Sequence, residues 1–311
     1  MTIEVVEPGL LTSVQDPVGR RGWRYLGVPV GGAADAWSAR LANRLVGNPD
    51  DAAVLEATLH GPTVRVASST VLAVTGGLQA MVDGLPLPQA SARAVRPGSV
   101  VRIGPGSGAR GYLAVAGGIE VDLVLGSRST DLRTGFGGHE GRALRGGDRL
   151  PVGRPRGSPM RWTGRLPAPQ PIRVVAGPHA EDRLPGLISG EWTVSAEADR
   201  TAVRLDPALD GGGEVASLGL PLGAVQLPPD GRPIVMLADR PVTGGYLVPA
   251  VVIGADVGRV AQLRPGDAVR LASVSLDEAR RAWIEAEEEL AALEPLDERP
   301  DDELGWTGAH S

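Results

Sequence analysis

Four clusters of polar residues in this chain could do chemistry. The first is Gln15-Asp16 with Arg20, in a polar stretch bounded by Gly19 and Gly22 between apolar segments. A carboxylate such as Asp16 orients an N–H group or takes its proton. The Arg20 fork can hold a carboxylate or phosphate through two parallel hydrogen bonds. The same two residues can instead close a turn as a structural pair. The second cluster is Gly126-Ser127-Arg128-Ser129-Thr130-Asp131, where two hydroxyls flank a guanidinium. Such donors suit an oxyanion, or a capped turn in which Arg128 meets a carboxylate.

The third cluster, Gln226-Leu227-Pro228-Pro229-Asp230-Gly231, presents an amide and a carboxylate on one loop. The fourth joins Asp239 to Thr243-Gly244-Gly245-Tyr246, where a Gly-Gly turn would let a ligand approach backbone N–H groups. Asp16, Asp230 and Asp239 are thus the candidate catalytic carboxylates. Candidate substrate- and anion-binding residues are Arg20, Ser127, Arg128, Ser129, Gln226, Thr243, Gly244, Gly245 and Tyr246. Asp199-Arg200, just before Val203-Arg204-Leu205, reads as an ion pair at the start of a strand.

Composition removes several chemistries. All 31 basic residues are arginine. Without lysine there is no standard phosphate loop, no Schiff base and no attachment point for biotin. Cysteine is absent, so there is no thiolate nucleophile, disulfide or thiolate metal site. The four histidines, His60, His139, His179 and His310, show no metal-ligand spacing, and no metal is expected. A net charge of −6 argues against a nucleic-acid footprint. No apolar run reaches the roughly 18 to 20 residues of a membrane span. Met1-Thr2-Ile3-Glu4 begins no secretory signal, so the expected location is cytoplasmic.

The elements that position these clusters read as mainly β. The chain holds 44 glycines and 27 prolines, spread between short runs rich in β-branched residues. Those runs are Thr63–Val66, 70–74, Val100–Ile103, 112–116, Ile172–Ala176, 234–237 and 251–253. Two helices are expected. One covers 35–46, with Trp37, Leu41 and Leu45 in register and Gly47 as its stop. The other starts at Ser275 with a Ser-x-x-Glu capping box to Glu278, and its stripe includes Trp283 and Leu290. It either lies on its own barrel or offers a docking surface. An echo between Arg96-Pro97-Gly98-Ser99 and Arg264-Pro265-Gly266-Asp267, each followed by an alternating strand, suggests two related halves. The expected division is 1–166, then 167–274 behind a stiff proline linker at 167–171, then a helix and disordered acidic tail over 275–311.

Several segments together resemble the biotin-dependent-carboxyltransferase-like family. They are Gly9 to Asp16, Leu26-Gly27-Val28-Pro29, Leu41 to Pro49, Tyr112 to Ile119, Val124 to Asp131, Gln226 to Gly231 and Asp239-Arg240 with Thr243 to Tyr246. That family includes the C-subunit of bacterial 5-oxoprolinase, the Kip-antagonist proteins and the allophanate hydrolase subunit 2 type. The resemblance implies two cyclophilin-like β-barrel subdomains, with a site in or near the groove between them. It also implies a sister subunit of the Kip-inhibitor or allophanate hydrolase subunit 1 type.

Three functions follow from the resemblance. One is membership of an ATP-dependent 5-oxoprolinase that opens 5-oxoproline to glutamate, together with the sister subunit and a lactam-acting third subunit. Another moves a carboxyl group from carboxybiotin to an amide or urea, with biotin on another chain. The third is a non-catalytic regulator that binds a kinase-inhibitor sister protein. The chain departs from the family pattern at Thr201-Ala202, Ser217-Leu218-Gly219 and Leu247-Val248, and by one extra residue between Asp16 and Gly19.

Overall fold

The computed structural model describes residues 1–166 and 171–296. Residues 167–170 of the expected linker at 167–171, and 297–311 of the expected acidic tail, lie outside the described residues.

Apart from one short pairing of Met160–Trp162 with Leu293–Pro295, strands before and after that linker form separate sheets. In the first half, six strands run in the order Arg149–Pro151, Thr2–Glu7, Thr63–Val66, Val100–Gly104, Gln79–Val82, Leu85–Leu87. Five more run Leu11–Gln15, Val54–Thr58, Arg110–Val115, Thr70–Gly76, Ser91–Val95. Ile3, Val5, Val64, Val101, Leu55 and Leu113 belong to one core shared by both sheets. Alternation explains Thr2–Glu7, where Ile3 and Val5 are buried and Thr2 and Glu7 are exposed. It fails at Arg110–Val115, where every residue is buried. That strand has a second apolar cover: helix α1 (Ala36–Leu45) packs Leu41 and Leu45 with Tyr112 and Ala114. Asp35 caps α1, its carboxylate accepting from the Ser38 backbone N–H at 3.0 Å.

The second half is one nine-stranded sheet. Its two ends, Ala268–Val269 and Leu271–Ser273, are neighbours in the chain, so the sheet curls into a nearly closed barrel. Trp192, Leu205, Val235 and Val252 belong to its core. Helix α2 (Leu184–Ser189) supplies Leu187 to that core, and helix α3 (Gly254–Ala261) supplies Val257 and Val260. The sequence echo is structural too: Ser99 N–H donates to Arg96 O at 3.1 Å and Asp267 N–H to Arg264 O at 3.0 Å.

Helix α4 (Leu276–Ala291) carries the expected capping box at Ser275 and Glu278. It does not rest on its own barrel alone. Trp37 Nε1 donates to Ala286 O at 3.0 Å, and Arg40 pairs with Glu287 at 2.6 Å, both from α1. Trp283 meanwhile packs over Gly254 of α3. The segment after α4, expected to be disordered from Glu294, pairs Leu293–Pro295 with Met160–Trp162. The C-terminal helix therefore straps the two halves together. No described helix is long and apolar enough to cross a membrane.

Candidate functional site

Asp16 ends the strand Leu11–Gln15 and is buried. Its Oδ1 accepts from the backbone N–H groups of Val18 at 3.1 Å and Gly19 at 2.6 Å. Its Oδ2 accepts from Ser127 Oγ at 2.5 Å and Arg128 N–H at 2.7 Å. The Asp16 N–H in turn donates to Ser129 Oγ at 2.9 Å. The first two clusters thus meet, with the carboxylate as the knot that ties two loops together. Arg128 contributes its backbone N–H here, while its Nε donates to Val121 O at 2.9 Å.

The knot fixes Arg20. This guanidinium is fully buried, lies over the Phe136 ring at 4.4 Å from the centroid, and donates from Nη2 to Ser129 O. Its Nε and Nη1 are buried without a hydrogen-bond partner among the described residues. Leaving a buried donor unpaired costs about 1–3 kcal/mol, more for a charged group. Burial pulls the Arg20 pKa below its ordinary value, and the charges of Asp131, Asp16 and Asp239 offset only part of that pull. Gly137 permits the close approach. It sits at φ +70°, and a side chain there would collide with Arg20 Nη2 and Ser129 O.

Asp239 reaches the same place from the other half. Its Oδ1 lies 3.7 Å, and Arg20 Nη1 3.4 Å, from where a β-carbon on Gly31 would stand. Arg200 holds Asp239 in a two-point grip, at 2.8 Å through Nε and 3.0 Å through Nη2. Arg200 also pairs with Glu56 and donates to Gly32 O at 2.7 Å, both in the first half. Burial works against the charge on Arg200, but Glu56 and Asp239 outweigh it and hold its pKa above the ordinary value. Asp199 is not its partner: the carboxylate caps a turn by accepting from Thr201 and Ala202 N–H at 2.7 and 3.0 Å. The expected ion pair at a strand start is replaced by a bridge between the halves.

The remaining second-half candidates divide. Gln226 is buried in the strand Ala224–Leu227, with Nε2 unpartnered among the described residues. Asp230 is exposed in a tight turn, where its Oδ1 accepts from Arg232 N–H at 3.1 Å. Gln226 and Asp230 therefore do not share a loop. Thr243 to Tyr246 is no turn either. It begins a ten-residue strand, Thr243–Val252, in which Thr243 pairs with Gly219, Gly244 with Leu218 and Tyr246 with Glu214. A hydrogen-bonded strand leaves Gly244 and Gly245 less backbone to offer than an open turn would.

Three residues here have no role legible from the sequence: Glu56, Arg24 and Arg240. For Glu56 a signal existed, an acid inside the apolar run Val54-Leu55-Glu56-Ala57. Arg240 is buried, and burial together with the nearby Arg24 charge lowers its pKa to about 10. Among the described residues, no three His, Asp or Glu side chains gather as a metal site.

Two β-rich halves bridged by Arg200, with the partly unpaired guanidinium of Arg20 buried near Asp239 of the second half, are the frame that the comparisons identify. The carboxyltransferase domain, subdomain A and B, matches residues 26–273. The 5-oxoprolinase C-subunit of Escherichia coli K12 is 38% identical, covering 90% of this chain and 94% of that protein. That of Haemophilus influenzae is 34% identical, covering 90% and 93%. The urea amidolyase of Lachancea kluyveri is 34% identical over 95% of this chain but 18% of its own length. Among solved structures, TTHA0988 superposes with a TM-score of 0.81 at 41% identity, covering 88% of this chain and 56% of that one. Kluyveromyces lactis urea carboxylase superposes at 0.85 and 31% identity, covering 97% and 30%. The chain thus spans little more than half of the first structure and under a third of the second. It belongs to the carboxyltransferase subdomain A and B family.

Proposed function

We propose that this chain is the carboxyltransferase-like member of an ATP-dependent 5-oxoprolinase, working with a Kip-inhibitor-type sister subunit and a lactam-acting third subunit. The observation that carries this reading is end-to-end likeness. The match to the E. coli 5-oxoprolinase C-subunit covers 94% of that protein, whereas the urea amidolyase match covers 18%.

Opening the lactam breaks its C–N bond, adds the oxygen of water to the carbonyl carbon and returns a proton to the nitrogen. Charge grows on oxygen as this happens. Donors already fixed at that oxygen lower the barrier, because nothing must reorganise when the charge appears. Arg20 suits this work: Phe136 and Ser129 hold its plane while Nε and Nη1 remain to bond. Of these, the Nη1 N–H can donate to one oxyanion, whether a carboxylate or a phosphate oxygen derived from ATP, while Nε–H points to another side of the plane. ATP supplies the drive for opening a stable amide.

Asp239, oriented by two N–H groups of Arg200, can accept the amide N–H or its proton. Asp16 acts through position, with four donors already on its oxygens. Purified complex with all three subunits should release glutamate from 5-oxoproline, and omission of this chain should abolish release. No glutamate with all three present, or no loss on omission, contradicts the reading.

The superposition on urea carboxylase favours a second reading, transfer of a carboxyl group from carboxybiotin to an amide. Lysine is absent, so biotin would arrive on another chain. Carboxylated urea formed in place of glutamate would select it. Tight complex formation without turnover of either substrate would select the regulator.

A further inference from the structure

Arg24 and Arg240 come from opposite halves and share one acceptor. The Leu220 carbonyl takes an N–H from Arg24 Nη2 at 2.9 Å and from Arg240 Nε at 3.1 Å. Arg24 also donates to Val242 O at 3.0 Å, and Arg240 Nη1 to Leu237 O at 3.3 Å. Neither forms an ion pair with any described carboxylate. The buried Arg200, by contrast, meets two acids, Glu56 and Asp239. Two neighbouring like charges, one of them buried, repel in a medium that screens poorly. An anion between them removes the repulsion and offers acceptors to their remaining N–H groups.

A second, independent feature is the orphaned amide of Gln226, a side chain only 3% exposed. Its Nε2 lies 2.6 Å, and Leu220 Cδ1 2.7 Å, from where a β-carbon on Gly244 would stand. Gln226 and Leu220 therefore pack directly on Gly244, where only glycine fits, and the carbonyl of the same Leu220 gathers the two arginines. Arg24, Arg240 and Gln226 Nε2 offer only donors here. Two guanidiniums bonded to neutral carbonyls, with no carboxylate partner among the described residues, suit an anion, and paired planar forks suit a carboxylate.

We propose that Arg24 and Arg240 form a carboxylate-binding site between the halves, which selects an amide substrate bearing a carboxylate over a neutral one. The proposal rests on the 5-oxoprolinase reading. It assigns Arg24 and Arg240 to the lactam's carboxylate and leaves Arg20 for the oxygen at the reacting centre.

The test compares binding of 5-oxoproline, 2-pyrrolidinone (the same ring without the carboxylate) and inorganic phosphate, by calorimetry at matched ionic strength. It uses the full chain and the three-subunit complex, as wild type, R24Q and R240Q. Arg24 lies on a half-buried turn, so R24Q retains the fold, and a melting curve checks R240Q. Wild type should bind 5-oxoproline at least about tenfold more tightly than 2-pyrrolidinone. Each variant should lose about tenfold for 5-oxoproline, the equivalent of ~1.4 kcal/mol, and nothing for 2-pyrrolidinone.

Equal affinity for the two lactams, no 5-oxoproline binding by chain or complex, or unchanged affinity in R24Q overturns the proposal. Phosphate binding more tightly than 5-oxoproline, and weakened by R24Q, overturns the carboxylate assignment. Carboxylate binding that needs Arg24 in a complex that opens no lactam upholds the site and sinks the 5-oxoprolinase reading. Lactam opening with an unchanged KM in R24Q does the reverse.

Discussion

Arg200 and Glu56 stand 144 residues apart in the chain and meet as an ion pair with side chains 5% and 1% exposed. Glu56 Oε2 also accepts from Ala34 N–H at 2.8 Å, just beyond the Gly31-Gly32 loop. The pair thus joins the halves where the candidate site lies, and the stability of the chain and the geometry of the site hang on the same contact.

Removing one partner of a buried ion pair leaves the other charge uncompensated, at a cost of roughly 3–5 kcal/mol. Glu56→Gln should lower the unfolding free energy by about 3 kcal/mol, toward the low end of that range because Asp239 still holds Arg200. Urea denaturation read by tryptophan fluorescence measures this. A change below about 0.5 kcal/mol would show that the bridge is incidental.

The same pair sets an acid limb. Burial alone would raise the Glu56 pKa, but Arg200 and Arg110 overcome it, and the carboxyl titrates below its ordinary value. A depressed carboxylate stabilises fully above its unfolded-state pKa of about 4.3 and loses that contribution as pH falls through the lower folded value. Asp148 acts likewise: hydrogen bonding to Arg142 brings its pKa down to about 2. Wild-type stability should therefore fall as pH drops below about 4. The gap between wild type and Glu56→Gln should be flat above pH ~5 and narrow in acid. A gap that widens in acid would reverse the sign of the argument.

Asp16→Asn keeps the shape of the side chain but has an amide where Oδ1 or Oδ2 faces donors. Hydrogen bonds to a charged acceptor contribute about 1.5–3 kcal/mol each, so a loss of about 2 kcal/mol is expected. Hydrogen exchange should quicken at the Gly19 and Arg128 amides, which donate to the two oxygens. Unchanged protection at both amides would remove Asp16 as the knot.

Gly137→Ala tests the approach to Arg20. At φ +70° an added methyl is strained by about 1–2 kcal/mol and also meets the guanidinium. The melting temperature should fall and lactam opening by the complex should fall further than stability alone explains. Activity that tracks only the folded fraction would separate Gly137 from the site.

Much of the fold is legible in the sequence because local rules decide it. Ile172–Ala176 and Thr63–Val66 are strands with the bounds their β-branched runs suggest, and Ser275-x-x-Glu278 caps α4. The site is legible only in part. Asp16, Ser127 and Ser129 converge because their motifs do, but the motif does not tell which of them is bound internally. Thr243-Gly244-Gly245-Tyr246 reads as a turn from its glycines, whereas pairing with Glu214–Gly219 makes it a strand. Asp199-Arg200 looks local, yet Arg200 answers to Glu56 and Asp239, an arrangement set by how the halves pack. Arg24 and Arg240 give no local signal at all, because their meeting at Leu220 depends on contact across 196 residues.

In the proposed function the partly unpaired Arg20 guanidinium is kept for the oxygen that gains charge, at some expense in stability. Arg20→Met, measured in the three-subunit complex for glutamate release and in the isolated chain for melting temperature, tests it directly. Methionine fills the volume and can lie against Phe136, while the unpaired charge disappears. The account predicts lactam opening reduced by at least about a hundredfold, with a melting temperature equal to or above that of wild type. A variant that releases glutamate at the wild-type rate would contradict it.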